Sequence, residues 1–318
     1  MHFLQTKRWA EFKAHHGWRF LELTFEELSF VMMYRMAPGL GGIGYVPKLA
    51  VSAEKLPLLV ELLRGEGKKL GLVFVRLEAL LDAKVKISVM ENVSQTWSDP
   101  NPRACIILSL PATHAEWLAS LKQKTRYNVN LAERKGVVVE RVECNAENMQ
   151  KFFALIKATT ERGEFAGRPY SYYAEVWSMY AKSGDGQLIF TSLEGELLGG
   201  AFVLKEGTEA FFRDGGSVRG KASNTMFSYL LQSECVKWAI EQDCTSYDLI
   251  AVPPRSELEN PNHHFAKLYQ FKSMFSPEVT EYLPAFDIQV DASKYALVRK
   301  FWPLWQRVYG TLSGQSFW

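Results

Sequence analysis

The stretch Gln187-Leu-Ile-Phe-Thr-Ser-Leu-Glu-Gly-Glu-Leu-Leu-Gly-Gly-Ala-Phe-Val-Leu204 decides the fold. Two apolar runs, 187–193 and 197–204, flank Glu194-Gly195-Glu196, and a central glycine tolerates the positive φ of a tight reversal. The segment therefore reads as a β-hairpin. Glu209–Phe212 adds a third strand, Thr225–Gln242 is long enough for a helix, and Ser246–Leu249 returns as a strand. Upstream, Val137–Val142 reads as a strand, with helices at Ala146–Glu161 and Tyr172–Ala181. The whole is a mixed α/β series.

The N-terminal part gives a second mixed α/β series. Residues 5–16 read as a helix, Trp18–Leu23 and Phe30–Met36 as strands, and Gly39–Gly44 as a turn. Glu54–Gly65 is a helix, and Gly71–Leu77 is a near-continuous apolar strand of the kind buried on both faces. Cys105–Leu110 is a further strand, after which Pro111 opens a helical hairpin that stops at Gly136. The hairpin-then-helix order of the C-terminal series suits an N-acetyltransferase-like fold. No short internal repeat is visible.

At 318 residues, 47 % apolar and 23 % charged, the chain can bury one large core or two ordinary ones. Its formal net charge of +2 is too small for the molecule as a whole to attract polyanions, so any attraction comes from local clusters. Cys105, Cys144, Cys235 and Cys244 lack metal-ligand or disulfide-framework spacing, which, with no secretory leader in view, points to a reducing cytosol. No apolar run reaches the ~20 residues of a membrane-spanning helix. The stretch Tyr295–Tyr309 mixes aromatics with cations as bilayer-interface segments do; Trp302, Trp305, Tyr309, Phe317 and Trp318 either meet a membrane or pack back onto the fold.

The most basic cluster lies in Leu121-Lys-Gln-Lys-Thr-Arg-Tyr-Asn-Val-Asn-Leu-Ala-Glu-Arg-Lys-Gly136. Lys122, Lys124, Arg126, Arg134 and Lys135 beside Tyr127 make a composition suited to RNA or a nucleotide. Equally, Tyr127, Leu131 and the stem of Lys135 recur every four residues, as on the packed face of an ordinary amphipathic helix. The segment also closely resembles the signature helix of the Fem family of peptidoglycan aminoacyltransferases, FemA, FemB and FemX. Gln5-Thr-Lys-Arg-Trp9-Ala-Glu-Phe-Lys13 is similar to that family's opening pattern, and Gly42-Ile-Gly-Tyr-Val-Pro-Lys48 to its glycine-rich strand, although Leu49-Ala50 stands where Gly-Pro is common. Arg168-Pro-Tyr-Ser-Tyr172-Tyr173, Leu198–Phe202, Tyr229–Gln232, Tyr247–Leu249 and Leu268-Tyr-Gln-Phe271-Lys272 follow in the family's order.

The resemblance implies two N-acetyltransferase-like domains packed with a cleft between them, 1–110 with 283–318 on the precursor side and 111–282 on the aminoacyl-tRNA side. It implies transfer of an amino acid from aminoacyl-tRNA to an amine on the stem peptide of a peptidoglycan precursor, nucleotide- or lipid-linked. The chain would be a cytoplasmic monomer needing no cofactor or metal, with peripheral contact at the inner membrane face. No long inserted helical arm is present, as in the compact FemX type.

Residue by residue, the resemblance makes Lys272, flanked by Phe271, the catalytic choice, an ammonium beside the reacting ester. Lys13 and Arg168 fall to the precursor's diphosphate, with Arg162 a rival for Arg168 and Tyr172 one helical turn beyond it. Glu78 or Asp82 matches a carboxylate that would hold the incoming amine. Phe211 and Arg213 replace a Tyr-rich strand on the precursor side, and Lys122, Lys124, Arg126, Arg134 and Lys135 would meet tRNA. Two other readings stand beside this one: a Fem-like acyltransferase using acyl-CoA or acting on exported polysaccharide, and a non-catalytic RNA-binding module.

Other motifs are poorer. Gly39–Gly44 is glycine-rich but lacks the Lys-Ser/Thr of a phosphate loop, and the adjacent pairs His15-His16 and His263-His264 do not present two ligands to one metal. No Gly-x-Ser-x-Gly elbow supports a covalent acyl-enzyme.

Overall fold

The computed structural model describes residues 1–87, 90–97, 99–163, 167–218, 224–313 and 317–318. The first 103 residues carry α1 (Lys7–His15), β1 (Arg19–Phe25), β2 (Leu28–Ala37), β3 (Gly41–Leu49), α2 (Leu56–Lys69), β4 (Leu72–Ala79) and β5 (Val93–Gln95). Next come β6 (Ala104–Cys105), β7 (Ile107–Ser109), α3 (His114–Ser120), α4 (Gln123–Arg134), β8 (Val138–Val142), α5 (Ala146–Gly163) and α6 (Tyr170–Lys182). They are followed by β9 (Gly186–Leu193), β10 (Glu196–Glu206), β11 (Glu209–Ser217), α7 (Phe227–Glu241), β12 (Ser246–Asp248) and α8 (Ala266–Lys272). The chain closes with β13 (Thr280–Glu281), β14 (Phe286–Gln289) and α9 (Ala292–Ser313).

Two compact units result, Met1–Arg103 with Glu281–Trp318, and Ala104–Thr280. The strand expected at Cys105–Leu110 thus belongs to the second unit, not the first: β7 pairs antiparallel with β12, Leu108 opposite Tyr247. Its partner is remote in sequence, so no local pattern announces the assignment. The turn expected at Gly39–Gly44 is shorter, because β3 begins at Gly41.

Each unit is built on a six-stranded sheet, β1-β2-β3-β4-β14-β5 in the first and β7-β12-β11-β10-β9-β8 in the second. Both sheets obey one plan. An antiparallel meander leads to a single parallel pair, β3 with β4 or β11 with β12. Parallel neighbours cannot be joined by a tight turn, so a crossover helix intervenes, α2 in one unit and α7 in the other. A strand from elsewhere in the chain, β14 or β7, then adds antiparallel beyond it. The doubling that leaves no mark as a sequence repeat is present in the topology.

Local chemistry sets the ends of the elements. Thr6 caps α1 by accepting from Trp9 N, and Thr113 with Glu116 forms a reciprocal capping box on α3. Gly136 ends the turn after α4 at φ +79°, as the glycine stop requires. Gly216 on β11 admits no side chain, since a Cβ there would meet the backbone of Leu155 at 2.6 Å. The first unit's core gathers Met32, Val46, Leu59, Leu63 and Val75; the second's gathers Ile106, Ile189, Val203, Val236 and Tyr247.

β4 is buried along its whole length, as its apolar run predicts, yet two of its buried residues are Arg76 and Glu78. Arg76 survives there because Asp287, its cross-strand partner on β14, meets it as a two-pronged fork, Nε to Oδ1 at 2.7 Å and Nη2 to Oδ2 at 2.9 Å. Tyr295 donates to Asp287 Oδ2 at 3.0 Å, and the guanidinium lies 4.7 Å from the rings of both Trp97 and Trp318.

Of the two readings of the C-terminal aromatics, packing holds. Trp302 is fully buried and Phe317 nearly so. Trp305 stacks on Tyr309, and Phe317 and Trp318 rest on Trp18.

Because both partners of the Arg76–Asp287 pair are fully buried, removing one strands the other's charge. Asp287→Ala is expected to lower unfolding free energy by about 3–5 kcal/mol in denaturant titration, and the double replacement Arg76→Met with Asp287→Leu to cost less than that single change.

Candidate functional site

Lys272 is the last residue of α8 and is buried, 5 % exposed. Its ammonium donates to the carbonyls of Ile250 (2.8 Å) and Ala251 (3.0 Å), in the loop that leaves β12. Both loop residues hold positive φ, +55° and +26°, a region that a β-branched side chain such as isoleucine's rarely enters. Asp248 Oδ1 accepts from Ile250 N at 2.6 Å and braces the reversal. Burial pushes the Lys272 amine down to about 8, with Asp248 and Cys105 opposing the shift. An ammonium carries three donors, and among the described residues two protein acceptors meet it. Its third donor meets no protein acceptor among the described residues.

Phe271 does not stand alone beside this lysine. Its ring meets Tyr229 of α7 at 5.2 Å and Phe275 at 5.3 Å, contacts that fix the last turn of α8 and aim Lys272. Thr125 of α4, wholly buried, donates to Met274 O at 2.7 Å and so ties the basic helix to the turn just after Lys272. The packed face of α4 is Thr125, Asn128, Val129 and Ala132. The alternative stripe of Tyr127, Leu131 and Lys135 is not the buried one: Tyr127 is 53 % exposed with the Arg134 guanidinium 5.3 Å from its ring.

The basic residues of α4 divide. Lys122, Lys124 and Arg134 are exposed. Arg126 donates to Ala119 O and Leu121 O, closing the end of α3, and Lys135 donates to Asn224 O. These last two serve the fold at least as much as any ligand.

A second cluster forms around α6. Arg168 lies 5.0 Å over the ring of Tyr172, but not by helical spacing as expected, because α6 starts at Tyr170 and Arg168 stands before its Pro169 cap. A bulge in the β10–β11 register, between Phe202 opposite Asp214 and Val203 opposite Phe212, leaves Arg213 as the extra residue, which re-aims its side chain. Arg213 pairs with Asp214 at 2.9 Å, whose other oxygen accepts from Trp177 Nε1 at 2.9 Å. Burial pushes the Tyr172 phenol up, and the charges of Arg213 and Arg168 pull it back. The rival Arg162 instead donates to Ser217 O and Thr159 Oγ1, which ties α5 to β11. Phe211 is buried in register with Leu204 and Asp248.

In the first unit, Glu78 is buried and its carboxylate accepts from Asn101 N at 3.0 Å and Asn101 Nδ2 at 2.9 Å. The same amide nitrogen reaches Tyr45 Oη, and burial followed by the neighbouring Glu78 pushes that phenol well up. Asp82, by contrast, is exposed and caps a turn at Lys84 N. Of the two carboxylates only Glu78 sits in a built polar pocket. Lys13 is buried with its ammonium 5.4 Å from the Trp18 ring.

Sequence reasoning missed Asp248, Asn101 and Lys48. Lys48 is buried, holds φ +43° and donates to Pro102 O at 2.8 Å. Asp248 lay inside a quoted motif; Asn101 gave no local signal at all.

The profile of the FemAB family matches residues 95–194 and 185–301. The chain is 28 % identical over 176 residues to the UDP-N-acetylmuramoylpentapeptide-lysine N(6)-alanyltransferase of Weissella viridescens, covering 54 % of this chain and 48 % of that one. It is 23 % identical over 267 residues to the Lipid II:glycine glycyltransferase of Staphylococcus epidermidis, covering 64 % and 62 %. It therefore spans less than two thirds of either relative's length. The crystal structure of FemX superposes with a TM-score of 0.76 at 17 % identity, over 94 % of both chains. L-PGS from Bacillus licheniformis gives 0.54 at 13 % identity, over 89 % and 88 %. These likenesses fix the architecture, and with its profile matched across more than half of the sequence, the chain belongs to the FemAB family.

Proposed function

We propose that this chain is an aminoacyltransferase that moves an amino acid from aminoacyl-tRNA to an amine on the stem peptide of a peptidoglycan precursor. In the reaction a neutral amine attacks the ester carbonyl, a C–N bond forms, the C–O bond to the ribose breaks, and one proton of the amine passes to the departing ribose oxygen, which leaves as a hydroxyl. The ester is already activated, so the exchange balances without a further cofactor. What it needs is positioning and a donor where the tetrahedral oxygen turns negative.

The observation that carries this reading is Lys272: buried, pinned by two backbone carbonyls and left with one donor. A donor held so rigidly has nothing to reorganise when charge develops. Phe271 positions it. The relatives support the substrate class, one named for a UDP-N-acetylmuramoylpentapeptide lysine and the other for lipid II.

To the precursor and its diphosphate we assign Arg168, Tyr172, Phe211 and Arg213 of the second unit, and on the first unit Lys13, where Arg supplies a fork and Lys a point charge. Glu78 would hold or deprotonate the incoming ammonium. Lys122, Lys124 and Arg134 would neutralise tRNA phosphates with Tyr127 as a stacking surface, Arg126 and Lys135 reinforcing them from the helix ends. A lipid-linked acceptor would bring the chain to the cytoplasmic face of the membrane.

Supplying the chain and a precursor with either labelled aminoacyl-tRNA or labelled acyl-CoA tests the donor; label should pass from the tRNA, and transfer from acyl-CoA alone would refute the assignment. Lys272→Met is expected to lower kcat by about 10²–10³ while far-ultraviolet dichroism is unchanged, the usual loss for one oxyanion donor. Since the amine sits at about 8, wild-type kcat should fall as pH rises through 8, when the ammonium is lost. A base acting as free amine would give the opposite slope.

For the basic helix, Lys122→Gln with Lys124→Gln is expected to weaken tRNA binding and flatten its salt dependence without moving Tm. Arg126→Ala should lower Tm by several degrees, because two carbonyls at the α3 end lose their donor. Filter binding across a salt series and thermal melts read both.

A further inference from the structure

The inner face of α9 is committed: Tyr295, Val298 and Trp302 are buried. Its outer face carries Leu297, Phe301, Leu304 and Val308, which are 59 %, 47 %, 63 % and 49 % exposed. They recur at intervals of four, three and four, so they form one stripe along the helix. Leaving four large apolar side chains in water on one helix face is unusual unless something covers them.

What surrounds the stripe selects the cover. Lys294, Arg299, Lys300 and Arg307 are all exposed, and residues 292–313 contain no Asp or Glu. Lys300 and Arg307 border the stripe on one side and Lys294 on the other, as their helical positions dictate. The nearest acid, Asp291, precedes the helix and pairs with Lys294 at 3.1 Å. A second copy of this face would bring cations against cations. A bilayer with anionic headgroups meets both features, with phosphates for the cations and acyl chains for the stripe.

We propose that α9 docks the first unit on an anionic lipid surface through Leu297, Phe301, Leu304 and Val308, with Lys300 and Arg307 at the headgroups. Tyr295 and Trp302 of the same helix stay in the core, so docking uses the surface as it stands and unfolds nothing. Docking is separate from acyl transfer, and either can fail without the other.

Co-sedimentation with vesicles tests it. The chain should bind vesicles of phosphatidylcholine mixed with phosphatidylglycerol far better than phosphatidylcholine alone. Lys300→Gln with Arg307→Gln should weaken binding roughly thirtyfold at low ionic strength, the fold-change of about 1 kcal/mol per cation. Phe301→Ser with Leu304→Ser should abolish sedimentation while Tm stays within a few degrees, and Leu297→Gln with Val308→Gln repeats the test should the first pair disturb the fold. Failure of the unaltered chain to bind the mixed vesicles, or equal binding by the variants, would overturn the proposal. So would a dimer in sedimentation equilibrium that the apolar variants dissolve, with no vesicle binding.

Discussion

One parallel strand pair per unit is the constraint from which the rest of the structure follows. Parallel neighbours need a crossover, and both β4 and β12 lie inside their sheets with a partner strand on either side. Chemistry then collects where those strands stop. Glu78 stands next to the last residue of β4, and Asp248 is the last residue of β12. Glu78 is held by Asn101, and Asp248 braces the loop whose carbonyls grip Lys272. Two halves without a readable sequence repeat thus place an acid at the same point of the same plan.

Much of this architecture is legible in sequence because it is local. The β9–β10 hairpin follows from Gly195 between two apolar runs, and the buried character of β4 from its unbroken hydrophobicity. α7 follows from a long apolar segment. What escapes is set by distant partners. Arg76 looks like an interruption of β4 until Asp287, far along the chain, stands opposite it. The strand at 107–109 has no mark of the sheet it joins, since β12 lies across most of the second unit's sequence. The buried face of α4 was misjudged for a related reason. Thr125 and Asn128 are polar by type, yet Thr125 is wholly buried because its hydroxyl finds Met274 O, whereas Tyr127, the apolar-looking choice, is turned to solvent.

The site was legible in part. A motif located Lys272 but said nothing of how it is held, which depends on two residues in a backbone region that propensity does not forecast. Arg168 and Tyr172 do meet, though from an extended lead-in before α6 and not across one helical turn, while Arg213 owes its direction to a bulge that only strand register reveals.

Lys272 also shows what the fold gives up to keep such a group. Burial lowers its pKa from 10.5 to about 8, so between those values the unfolded chain binds more protons than the folded one, and stability rises with pH across that window. Below about pH 8 the full cost of a desolvated charge is present. To it is added the strain of Ile250 and Ala251, whose positive φ values turn two carbonyls toward the ammonium. An exposed lysine would avoid the first cost and a glycine loop the second. Two penalties converge on one side chain, each avoidable by an ordinary substitution, and the proposed role of Lys272 as a preorganised donor gives them a reason that a purely structural tie would not.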